Sequence, residues 1–323
     1  MTGMDGPGEL LTSWTPWWPG LVAVLVVTVP YLVWWRRARS IGHSWPWWRA
    51  AVYLLLGAGT LAYAVCGPLQ VHRADLFWVS ALQIAVLACV TPVGLALGEP
   101  LRLHHLARGR PDEVARQTTP LRLLLRVLMF PGVSSIIAVG SLMAVFFSPY
   151  FEASLRSTWV EAVLVVHLVG TGLLVVLPLL VGELLPRWAT PGIRALIAFG
   201  DGLLDAIPGI ALMTTTSLVA PGFPGFAGRT SGPDPLMDQR IGGGLLLTVA
   251  ELVGLPLLAA VLVEWMRADD REARETDTRL DAAARASRSE PMAGPDSLID
   301  PTPSTGLWWE SDPRFSRRAR GEG

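Results

Sequence analysis

The sequence contains no lysine, only two cysteines and little charge: of its 323 residues, 16% are charged. Water-soluble domains carry about a quarter of their residues charged, so the shortage excludes an ordinary soluble domain. Two cysteines cannot build a disulfide framework, and no CxxC pair offers a zinc or redox site. Cys66 closes one apolar block and Cys89 lies inside the next, where thiols behave as small hydrophobes. No Ser/His/Asp grouping and no phosphate-cradling glycine loop is found, so an enzyme has no support. A net charge of −1 argues against nucleic acid as a partner. Positions 1–18 lack the basic start of a cleavable signal peptide.

What is present is apolar. Hydrophobic residues make up 51% of the chain and the mean hydropathy is +0.42. They come in blocks of roughly 20 residues, the length a helix needs to cross a bilayer core. Seven spans are expected, at 19–35, 48–66, 76–98, 123–147, 159–182, 193–215 and 241–265. Helices are the default, because isolated strands leave backbone polar groups unpaired in lipid. The predicted class is an all-α integral membrane protein, a seven-helix bundle in contact with the lipid bilayer. Pro92, Pro178, Pro208 and Pro256 fall inside spans, where proline removes a donor and kinks the helix.

Arginine sets the expected orientation. With the N-terminus outside, 22 of the 26 basic residues fall on the inner side, and Arg73, Arg156, Arg229 and Arg240 on the outer. The bias obeys the positive-inside rule and puts the C-terminus in the cytoplasm. Trp14, Trp17, Trp18, Trp78 and Trp159 then mark the outer interface, and Trp34, Trp35, Trp47, Trp48, Trp188 and Trp265 the inner one. The expected organisation is an extracytoplasmic segment (1–18), the membrane domain (19–266) and a cytoplasmic charged helix with a disordered tail (267–323).

Ionisable groups inside spans are the informative residues, since each costs about 2.5–3.5 kcal/mol at helix centre on insertion scales. His167 lies in span five, Asp205 in span six with Asp201 one turn below, and Glu251 near the middle of span seven. At about 1.5 Å per residue His167, Asp205 and Glu251 share one depth, and Gln83 of span three lies near it. The pattern predicts a polar pocket inside the bundle. Polar groups that only hydrogen-bond helices together are the competing reading. Gly94 and Gly98 form a small-xxx-small packing face, and His104 and His105 sit solvated in an Arg-rich inner stretch. His43 and His72 have no spaced partners.

Four segments carry a resemblance: "LALGEPLRL" (Leu95 to Leu103), "HLVGTGLLVVLPLLVGELLPR" (His167 to Arg187), "GIALM" (Gly209 to Met213) and "PLMDQRIGGGLLLTVAEL" (Pro235 to Leu252). Together they resemble the multi-spanning CtaG-type cytochrome c oxidase assembly factors, over about residues 20 to 275. Asp238, Gln239, Gly242, Gly243 and Glu251 form the most specific block. The resemblance implies a seven-helix, multi-pass protein of a bacterial plasma membrane. It also implies oxidase subunits as partners and non-catalytic help in building a haem–copper oxidase, with copper delivered or held at the outer face. Ser80, Ile84 and Asp205 stand where the family usually has histidines.

Copper is therefore the candidate cargo. The expected metal-facing residues are His167, Asp205 and Glu251, with Asp238 at the outer mouth and Met213 and Met237 as thioether donors. One imidazole and two carboxylates make a hard set for Cu(I), which prefers sulfur. A metal-independent scaffold is the alternative. A small transporter or proton relay ranks below both, since the two halves show no inverted repeat.

Overall fold

The computed structural model describes residues 13–109, 128, 130–180, 191–227 and 232–289. The first 12 residues and the tail after 289 lie outside the described residues. So do Arg229, Trp188 and the inner arginines Arg110, Arg116, Arg122, Arg126 and Arg187.

The described elements are helical and no strand occurs among them. We number them α1 Trp18–Ser40, α2 Trp47–His72, α3 Phe77–Ala107, α4 Pro131–Phe146, α5 Tyr150–Arg156, α6 Thr158–Leu180, α7 Pro191–Thr214 and α8 Pro235–Ser289. A short 3₁₀ turn, Pro224–Phe226, lies between α7 and α8. Five helices are long and apolar enough to cross a membrane, and six if α4 and α5, bent by 62°, count as one span. Length and composition therefore do not reach the expected seven among the described residues. The fourth expected span begins on 123–127, outside those residues, and α4 starts at Pro131. The sixth coincides with α7, whose apolar stretch among the fully described residues is Gly202–Thr214.

α3 is the centre of the bundle. Of its apolar window, 72% is buried, against 17% for α1 and for α8. α2 and α6 flank it, and α4 packs on α6 and α7. Two π-helical turns, Tyr53–Gly59 and Val86–Val90, lie in α2 and α3, and Pro92 follows the second at the start of a new α-helical turn.

Glycines set how closely the helices approach. Gly94 faces the Leu56–Gly57 backbone, and a Cβ at Gly57 would sit 2.9 Å from the Leu95 amide nitrogen. Gly98 faces the Tyr53 ring. Gly94 and Gly98 thus form the α3 side of the α2–α3 seam. We expect Gly94→Ala to lower stability in detergent by about 1–3 kcal/mol, because backbone must move. The check is a drop in Tm; Gly140→Ala, whose Cβ would meet nothing within 4 Å, should show none.

The end of the bundle at Gly98 is tied by polar aromatics. Tyr31 and Tyr53 stack with centroids 3.7 Å apart. The Tyr31 hydroxyl donates to the Gly98 carbonyl at 3.1 Å, and Trp45 Nε1 donates to that hydroxyl at 3.2 Å. Glu99 has φ of 45°, an unusual left-handed conformation for a non-glycine residue. It is held by Arg49 at 2.5 Å and Arg102 at 3.0 Å. That is the structural content of the "GEP" stretch.

Contacts divide the chain at Asp269 and Asp270. The second unit is described only over 270–289, a helical stretch carrying an Arg279–Glu275 pair at 3.8 Å.

Candidate functional site

Two polar features stand out. The first is a buried network at the end of the bundle where α3 begins. Arg73, in the α2–α3 connection, is paired with Glu161 in the first turn of α6. They are 6% and 7% exposed. Arg73 also donates to Ser154 Oγ of α5 at 3.1 Å, and its carbonyl accepts from Ser80 Oγ. Gln70 Nε2 donates to Glu161 Oε1 at 2.6 Å, and Gln83 Nε2 donates to Gln70 Oε1 at 2.8 Å and to the Ala64 carbonyl at 2.7 Å. Desolvation lowers the Arg73 guanidinium from its ordinary value, and the Glu161 carboxylate opposes that shift. One chain of bonds thus ties α2, α3, α5 and α6. Buried charges persist only when paired and hydrogen-bonded, and each member here has a partner, although Arg73 Nε is buried without an acceptor of its own.

Asp238 and Gln239 belong to the same end, and both are 0% exposed. The first helical residues of α3 need acceptors, because their N–H groups have no partner within the helix. Leu76, at the capping position, supplies none. Asp238 supplies them from α8: its Oδ2 accepts from Phe77 N–H at 3.1 Å and its Oδ1 from Trp78 N–H at 3.0 Å. The carboxylate also meets the positive end of the helix dipole. Gln239 Nε2 donates to the Ser217 carbonyl at 3.2 Å and the Leu212 carbonyl at 3.4 Å, while its Oε1 accepts from Val219 N–H at 2.8 Å.

Gln239 thereby anchors the connection after α7. Farther along, Gly222 N–H donates to Glu152 Oε1 at 2.8 Å. Phe223 is buried against Phe77, Phe151 and Phe226, with centroids 5.7, 6.0 and 4.8 Å away. The segment 215–227 is a fixed cap over this end of the bundle.

The second feature is a cavity of about 70 Å³ between α3, α4, α6, α7 and α8. Its walls are mostly apolar, with Cys89, Thr171 and Asp205 as the polar lining. Thr171 turns its hydroxyl back to the His167 and Leu168 carbonyls at 2.9 and 3.1 Å.

The residues expected at membrane depth are distributed over these features. His167 Nε2 lies 2.9 Å from Ser141 Oγ of α4, and its ring stacks on Tyr150 at 5.9 Å. Thr171, one turn along α6, reaches the cavity, whereas His167 is not among its walls. Asp205 lines the cavity; Ala250 and Gly254 of α8 do too, but Glu251 between them does not. Asp201 lies in α7, and its side chain is outside the described set. Gln83 belongs to the buried network. Met213 is 40% and Met237 49% exposed; Met213 packs across Gly243. Ser80 is buried against the Arg73 carbonyl and Ile84 in the apolar core. Among the described residues no group of three His, Cys, Asp or Glu side chains is placed to hold a metal ion.

Sequence reading missed Arg73, Glu161, Gln70 and Ser154. Arg73 read only as an outer-side charge, and the other three were not singled out. The available signal was that opposite charges stand at the same end of neighbouring spans. Asp238 was singled out, but as a mouth residue rather than a helix cap. His104, read as solvated, is half-buried with its ring edge-on to Trp34 at 4.7 Å.

The sequence profile of the cytochrome c oxidase caa3 assembly factors (Caa3_CtaG) matches residues 29–268. An uncharacterised protein of Mycobacterium bovis is 27% identical over 268 residues, covering 80% of this chain and 40% of its own length. One from Mycobacterium leprae is 25% identical over 287 residues, covering 85% of this chain and 43% of its own. The chain thus spans less than half the length of these relatives. No solved structure matches it. With the profile covering every described helix except the first part of α1 and the last part of α8, the chain belongs to the cytochrome c oxidase caa3 assembly factor family.

Proposed function

We propose that this chain helps build a cytochrome c oxidase in a bacterial plasma membrane by offering an oxidase subunit a rigid helical platform. It does no chemistry of its own in this reading. The observation that carries it is where the distinctive polar residues spend their bonds. Asp238 caps α3, Gln239 pins the 215–227 segment, and His167 meets Ser141. Groups engaged in this way hold a shape. The arginine distribution supports placing the Asp238 end on the extracytoplasmic side.

Copper handling is the second reading, favoured by Cys89 and Asp205 sharing one cavity with His167 a turn away. The fit is poor: one thiol and one carboxylate do not make the sulfur-rich set that Cu(I) prefers.

Deleting the gene should lower the assembled oxidase, seen as loss of its haem absorbance in membranes. A Cys89→Ala/Asp205→Asn double variant, which alters only the cavity lining, should restore it on the platform reading. Restoration by wild type alone, with copper content per purified chain falling in the variant, would favour the copper reading. Unchanged haem spectra in the deletion strain would overturn the assembly role.

A further inference from the structure

We propose that Glu251 marks a docking face on α8 for a transmembrane helix of a second protein that carries a basic or amide side chain near mid-membrane. The face lies on one side of the helix. Thr248, Leu252 and Leu255 are exposed, and the half-buried Glu251 lies among them. Ala250, Val253, Gly254 and Leu257 turn the other way, toward the cavity.

Glu251 has no hydrogen bond or ion pair among the described residues. Its nearest hydroxyl, on Thr248, donates back to the Gly244 carbonyl at 2.7 Å. A carboxylate facing acyl chains is costly, and the described residues offer this one no partner. In this proposal the partner group arrives from a second protein. Gly244 leaves room on the same side, with only Met213 Sδ, at 4.0 Å, near the place a Cβ would take.

Charge decides what the occupant is. A second copy docking through the same face would set Glu251 against Glu251, since symmetric pairing presents one patch to itself. Thr248, the other polar side chain there, has already spent its donor. A hydrogen-bond donor therefore comes from a different chain. Identifying that chain as an oxidase subunit rests on the proposed function; the chemistry of the face does not.

The test uses the full chain, donor-labelled, in phosphatidylcholine vesicles with acceptor-labelled 21-residue leucine helices. One helix carries a central arginine, one a central glutamine and one neither. Association is read by energy transfer as peptide is titrated. Interhelical polar contacts in model peptides imply a preference on the order of five- to thirty-fold for the arginine or glutamine helix over plain leucine. Glu251→Ala should abolish the preference, while Thr248→Val should preserve it. Equal binding of the three peptides, or a preference that survives Glu251→Ala, would overturn the proposal. Glu251-dependent transfer between two labelled copies of the chain would overturn it too, in favour of self-association. None of these outcomes bears on haem absorbance in the deletion strain, so this proposal and the assembly role fail separately.

Discussion

Replacing Glu161 with alanine should destabilise the protein by about 3–5 kcal/mol, the cost of leaving a buried charge uncompensated. Arg73 would lose its counterion while staying enclosed, since it is 6% exposed. Guanidinium does not escape by deprotonating in a protein. Gln70 would lose an acceptor as well. The single variant Arg73→Ala should cost a similar amount from the other side. Joint replacement by Arg73→Met and Glu161→Leu should recover most of the loss, because an apolar pair of similar volume removes both charges at once. Adding the single variants Arg73→Met and Glu161→Leu closes the cycle, and chemical unfolding in one detergent then gives the coupling energy. If the double variant is as unstable as the worse single one, the charges are not what the site depends on.

The second large effect is at Asp238. Asp238→Ala removes the acceptor of both Phe77 and Trp78 N–H groups. Each unsatisfied buried donor costs about 1–3 kcal/mol, so a loss of roughly 2–6 kcal/mol is expected for the two. Asp238→Asn keeps one acceptor oxygen and should fall between. Two readings check this: Tm in detergent, and hydrogen exchange at the Phe77 and Trp78 amides, which should rise from protected to fast. Exchange that stays slow in Asp238→Ala would mean that another group caps the helix. The variant also separates roles: if Asp238 serves as a cap, partner association per folded molecule should be unchanged.

Much of the architecture was legible before any coordinates. Apolar blocks of about 20 residues at Trp18–Ser40, Trp47–His72 and Phe77–Ala107 announce spanning helices through length alone. Gly94 and Gly98 were readable as a packing face, because glycine spacing along a helix maps onto one side of it. The family was legible from short stretches of sequence. The span count was less so, since a 62° bend separates Pro131–Phe146 from Tyr150–Arg156 and part of the fourth expected span lies outside the described residues.

The candidate site was legible only in part. Depth along a helix can be counted from sequence, and it placed His167, Asp205 and Glu251 at one level. Direction around the helix axis is set by neighbours, and it sends the three to different surroundings: Ser141, the cavity wall and the outer face of α8.

By itself the sequence determined that the chain is helical, apolar and built for a bilayer, and which family it resembles; composition and spacing carry those properties locally. The tertiary structure alone decided that Asp238 serves a helix 160 residues away and that Arg73 finds Glu161. Such pairings depend on which helix faces are brought together, and only packing fixes that.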